Sequence, residues 1–172
     1  MLTIQCTKKL ADELMIDLKQ IESGVGEPFY SWHAHLFLFN RRKCVLLMNN
    51  VTRYNFVLLG LKKNDFRDFS KLVVTSIAEN LVADGVCEMD VDEYIKKCGT
   101  AIYTKTSERS ILSQMNEMIS VSKHWMEEDR KSGTETNLYE LNRYLNRFVM
   151  LQLPKTYSGE TMRDAFLQRK RE

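Results

Sequence analysis

The 172 residues amount to about one domain at a prior of roughly 150 residues per domain. Twenty-five basic and 23 acidic side chains leave a net charge of +2, which excludes a polybasic wrapper of nucleic acid, since displacing counterions needs a large positive excess. A hydrophobic share of 44% excludes a disordered chain, 7 Gly and 2 Pro exclude collagen-like and linker-like classes, and no apolar run reaches the about 18 residues of a membrane span. The opening MLTIQCTKKLADEL enters a polar helical pattern without the apolar core of a signal peptide, so a soluble, cytoplasmic protein with no membrane contact is expected. Cys6, Cys44, Cys87 and Cys98 are scattered with no C-x-x-C pair, which fits reduced structural thiols in that compartment.

Leu2 to Cys6 alternates as a short strand does. Thr7 suits the cap of a helix carrying Leu10, Leu14, Ile16 and Leu18, and Glu22 to Ser31, with Gly24, Gly26 and Pro28, reads as a loop. Three apolar runs follow: Trp32 to Phe39, Cys44 to Met48 and Tyr54 to Leu61. Polar interruptions at Asn40–Lys43 and Asn49–Asn50 make them a three-stranded antiparallel meander over 32–61. A turn centred on Arg41–Arg42 sets Phe39 opposite Cys44 and Phe37 opposite Leu46. One sheet face then holds Phe37, Phe39, Cys44, Leu46 and Met48, and the other Leu36, Leu38, Val45 and Leu47. Both are apolar, so helices must lie on both sides, or a second subunit must cover one of them.

Asn64 or Asp65 caps a helix running to about Asp84, with Phe66, Phe69, Val73 and Ile77 on one stripe. Asp90, with Glu93 three residues on, predicts a short helix to Cys98. Thr100 to Lys105 alternates as a strand, Ser107 opens a long helix to about Asp129, and Asn137 caps another that Pro154 should stop. The expected fold is α+β: a mainly antiparallel sheet of four or five strands packed by several helices, in one domain over 1–153. Residues 154–172 form a polar, mildly basic tail, either a short helix around Met162 and Phe166 or a frayed end.

Two groups of side chains invite a functional reading. His33 and His35, two apart on a strand, project from one face and could chelate a metal or serve a hydrolytic pocket beside Trp32. A third ligand is wanting, and packing at the rim of the sheet is the simpler role, so no metal or cofactor is expected. Arg41, Arg42 and Lys43 form a basic hairpin tip suited to phosphate, or to protecting strand ends from association. The acidic run Asp84, Glu88, Asp90, Asp92 and Glu93 lacks calcium-loop spacing, and no nucleophile elbow or phosphate-binding loop occurs.

The segments T-K-K-L, W-H-A-H-L, N-R-R-K-C-V-L-L-M-N and S-E-R-S-I-L-S-Q-M-N-E-M resemble a bacterial family defined by a domain of unknown function, over most of the chain to about Leu153. The resemblance implies a bacterial source, carries over no catalytic residue, and adds weight to Trp32, Arg41, Arg42 and Lys43 as ligand-binding candidates. Without a convergent catalytic set, the expected function is a non-enzymatic binding or regulatory module that self-associates through a sheet face or helix. The alternatives are a nucleic-acid-associated protein using the basic tip and a hydrolase or metal-dependent enzyme at His33 and His35.

Overall fold

The computed structural model describes residues 1–19 and 26–172. Strand β1 is Leu2–Cys6, and all five residues are buried because the strand lies inside the sheet. Helix α1, Lys8–Glu13, opens at Thr7, whose extended backbone (φ −65°, ψ 158°) suits a cap although its hydroxyl is spent elsewhere. Residues 22–25 of the expected loop lie outside the described residues, and Pro28–Tyr30 forms a single 3-10 turn.

The meander is present as β2 (Ser31–Phe39), β3 (Arg42–Asn49) and β4 (Asn55–Leu61). Its first turn centres on Asn40 and Arg41, at φ +48° and +64°. Two left-handed residues make a type I′ turn, whose twist matches that of paired strands. Phe39 therefore faces Arg42, and Phe37 faces Cys44. The pairing expected from the sequence is two residues out, which preserves the faces because side chains repeat every second residue.

The sheet is mixed rather than mainly antiparallel. Its order is β4-β3-β2-β1-β5, with β5 at Ala101–Lys105, and β1 pairs parallel with both β2 and β5. Alternation marks a strand but not its direction. Here the chain leaves β1 through a helical crossover and returns to β1's other side through α2 (Lys63–Arg67), α3 (Phe69–Ala83) and α4 (Glu88–Cys98), and such crossovers leave neighbouring strands parallel. The expected helix from Asn64 to Asp84 is broken at Asp68. Neither Asn64 nor Asp65 is the cap: α2 opens at Lys62, and Asp65, in its first turn, accepts the Lys62 amide at 2.7 Å. Asp90 is not a cap: α4 begins two residues earlier, and Asp90 instead pairs with Lys170 at 2.7 Å.

Both sheet faces are covered, as their apolar character requires. Trp32, Ala34, Leu36, Val45, Leu47 and Phe56 pack against Leu10 of α1, Val73 and Ile77 of α3, Tyr94 of α4, and Met162 and Phe166 of α7 (Ser158–Arg169). Phe37, Cys44, Leu46, Met48 and Val57 pack against Ile111, Met115 and Met118 of α5 (Arg109–Lys131) and Leu141 and Leu145 of α6 (Leu138–Leu145). Leu38 departs from its expected face-mates, being about half exposed near the tip. Asn137 caps α6 as expected, accepting the Glu140 amide at 3.1 Å, but the helix ends at Leu145, well before Pro154.

That early ending aims two asparagines at the edge of the sheet. Asn142 accepts from the Val57 amide at 2.8 Å and donates to the Val57 carbonyl at 3.3 Å. Asn146 does the same at Asn55, at 2.9 and 2.7 Å. Residues four apart share a helix face, and alternate strand residues direct their backbone groups to one side, so the two amides match the free edge of β4.

Candidate functional site

Two irregularities shape the end of the sheet where β2 and β4 finish. The β2–β3 turn holds Asn40 and Arg41 left-handed, and Gly60, at φ +62°, makes a bulge opposite Lys43–Val45. The bulge turns the strand over: Leu59 packs with the α5–α6 layer and Leu61 with the opposite one. Between the tip, the end of α1, α2, the end of α5 and the loop before α6 lies a cleft of about 1240 Å³. Its floor is apolar, with Leu14, Phe39, Leu59, Leu61, Phe66 and Met126.

Its walls are strongly cationic. Arg41, Arg42, Lys43, Lys62, Lys63, Arg67 and Arg130 all line it, against the carboxylates Glu13 and Glu135. Lys43 is spent on Glu13 at 2.6 Å, and Arg130 on Glu127 at 2.6 Å. Among the described residues, no carboxylate pairs with Arg41, Arg42, Lys62, Lys63 or Arg67. Met15, at φ +57°, also lines the cleft and is 88% exposed. Three of the five non-glycine residues described at positive φ thus sit on this one cleft.

The other candidates do not join it. Trp32 is fully buried on the α3–α4 side of the sheet, donating its indole N–H to Tyr94 Oη at 3.0 Å. His33 and His35 lie on the opposite face, where each is engaged. His35 Nδ1 meets Thr7 Oγ1 at 2.8 Å, which is where the Thr7 hydroxyl is spent. His33 Nε2 takes the Ser107 amide at 3.3 Å, and Nδ1 meets Asn50 Oδ1 at 2.7 Å. An amide N–H only donates, so Nε2 accepts and the proton sits on Nδ1. Asn50 in turn donates to Gln5 at 2.5 Å, and Gln5 to Ser107 Oγ at 3.0 Å and to the Lys105 carbonyl at 3.1 Å. The ring closes around a neutral imidazole. Burial drives the pKa of His33 down, only partly opposed by its bond to Asn50. Burial also lowers that of His35, helped by Lys9 and Lys123. Among the described residues, no group of three His, Cys, Asp or Glu side chains is placed to hold a metal ion.

A smaller concavity of about 740 Å³ lies between α3, α6 and the start of α7. It holds one ion pair, while Arg147, Arg163 and Glu160 line it without an ionic partner among the described residues. Arg143 Nε stands 3.2 Å from Asp84 Oδ2, and the buried Tyr54 hydroxyl donates to the same carboxylate. Burial raises the pKa of Asp84 against the contrary pull of Tyr54 and Arg143.

A family model described as a domain of unknown function, DUF6933, matches residues 3–159. The chain belongs to this family. The match takes in the β-meander, the cationic tip and the Asn50–Gln5–His33 ring. No curated protein and no solved structure matches the chain. Among the described residues, no helix is long and apolar enough to cross a membrane.

The three tip cations were legible in the sequence as a run. Lys62, Lys63, Arg67 and Arg130 were not, because the bulge at Gly60 and the far end of α5 bring them to the tip from segments up to 90 residues away. A Gly between two leucines at the end of an apolar run was the available signal of a bulge.

Proposed function

We propose that this protein is a non-enzymatic binding module whose working surface is the cationic cleft at the β2–β3 tip, and that its ligand there is anionic. One observation carries this: five arginine and lysine side chains without a carboxylate partner among the described residues converge on one apolar-floored cleft. Like charges gathered at close range repel, and such a cluster is stabilised by an anion that neutralises it. Arginine and lysine keep a fixed charge near neutral pH, which suits binding better than proton transfer. A hydrolytic or metal-binding role for His33 and His35 has less support, because Asn50 and Ser107 occupy both ring nitrogens of His33 and Thr7 occupies Nδ1 of His35. The setting on this reading is the reducing cytoplasm of a bacterium, which suits four free thiols, three of them buried.

The test is thermal unfolding in the presence of inorganic tripolyphosphate. A ligand at a hundred times its Kd adds about 2.7 kcal/mol, which for a chain of this size raises Tm by roughly 5–10 °C. The Arg41→Ala/Arg42→Ala double variant should lose that rise while melting at the same temperature alone. Equal stabilisation of both proteins would refute the cleft as the site.

A further inference from the structure

We propose, building on the anionic-ligand reading, that the cleft takes an unpaired strand of nucleic acid, a segment of about five phosphates whose bases rest on the apolar floor. Three features select this ligand. The first is charge number. Five cations without a carboxylate partner among the described residues are too many for a single carboxylate or phosphate and match a ligand carrying charge at regular intervals. The second is their arrangement: Arg41 and Arg42 rise from the β2–β3 turn, Lys62 and Lys63 from the junction of β4 with α2, and Arg67 from one turn further along α2. The cations thus come from the turn, the β4–α2 junction and α2, and Phe39, Leu59 and Leu61 line the same cleft, so a chain lying in it meets both charge and apolar surface. The third is size. At about 1240 Å³ the cleft exceeds the roughly 300–1000 Å³ of ordinary small-molecule sites.

The floor decides between strands. Bases stacked inside a duplex offer no face to Phe39 or Leu59, whereas a single strand does, and groove cations with a stacking surface are the common means of holding one. An acidic peptide satisfies the cations but places no planar group on the floor.

Fluorescence anisotropy with labelled 12-residue oligothymidylate and oligouridylate tests this. Contact with about five phosphates gives a logarithmic salt slope near −3.5, so Kd should weaken roughly 100-fold between 50 and 200 mM KCl. Arg42→Ala with Lys63→Ala should weaken binding and reduce the slope by about 1.4, two contacts' worth, while leaving Tm unchanged. Phe39→Leu, which keeps strand packing, should weaken binding roughly tenfold and leave the slope as it was. Binding of either sugar type supports the proposal. A 12-base-pair duplex or a polyglutamate of equal charge that binds as tightly as the single strand overturns it, as does oligonucleotide binding that the cleft variants do not alter. Tripolyphosphate binding that depends on Arg42, with no oligonucleotide binding, overturns the strand and keeps the anionic cleft. Failure of both probes removes both readings.

Discussion

Replacing His33 with Gln should flatten the acid limb of the stability curve. In the native protein the ring is neutral, because Nε2 is occupied by the Ser107 amide and Nδ1–H by Asn50. Burial holds its pKa below the ordinary 6.5. In the unfolded chain the imidazole takes up a proton near that value. Below pH 6.5 the unfolded state then binds more protons than the native one, and stability falls as the pH drops. The contribution is fully present above pH 6.5 and is lost downward from there until the native ring itself protonates. The loss is at most RT ln(1 + 10^(6.5−pH)), about 1.4 kcal/mol at pH 5.5, and stops growing once the native ring protonates. Glutamine removes the titration and keeps a hydrogen-bonding side chain, at a cost of roughly 1–3 kcal/mol at pH 7.5 for the bond it fails to reproduce. Urea unfolding of both proteins at half-unit intervals from pH 8 to 5 reads the difference, in which every other titrating group cancels. The gap between the two curves should close as the pH falls. Curves that stay parallel through pH 5.5 would refute the neutral, ring-locked histidine.

Three further outcomes follow from the geometry. Asn142→Leu strips Val57 of both its hydrogen bonds to the Asn142 side chain and should cost about 2–4 kcal/mol, with slow aggregation near the melting temperature, read by denaturant titration and light scattering. Gly60→Ala meets no close neighbour, its nearest atom being Arg42 Cδ at 3.9 Å, but must hold φ near +62°; the expected cost is about 1–2 kcal/mol with weaker anion binding, and an unchanged Tm would refute the bulge. Under native conditions at pH 8 a disulfide reagent should modify Cys87 rapidly and the buried Cys6, Cys44 and Cys98 only on the timescale of unfolding, since burial pushes Cys6 up to about 12 and Cys98 up to about 11. Rapid reaction of two or more thiols would contradict this.

The meander and the two-sided burial of its strands were legible because both rest on local pattern. Leu36, Val45 and Leu47 on one face and Phe37, Leu46 and Met48 on the other follow from a two-residue repeat that a register shift of two leaves intact. Strand direction was not legible, since β1 meets β5 across nearly a hundred residues and alternation is the same in either sense. Helix ends were misread where a side chain had a stronger tertiary use than a cap: Asp90 turns to Lys170, and Asn146 to the edge of β4. The candidate site was half legible. Arg41, Arg42 and Lys43 form a visible run, whereas their partners on α2 and α5 arrive only through folding. Trp32 shows the reverse error, an aromatic beside suggestive histidines that alternation sends to the other side of the sheet.

The paired asparagines of α6 also bear on how copies of the protein can meet. By supplying carboxamides where a neighbouring chain would offer peptide groups, they leave Asn55 and Val57 with nothing to give a visiting strand. Growth of the sheet from one molecule into the next is therefore blocked along the Asn55–Val57 stretch of the β4 flank, where a visiting strand would first pair with the start of β4.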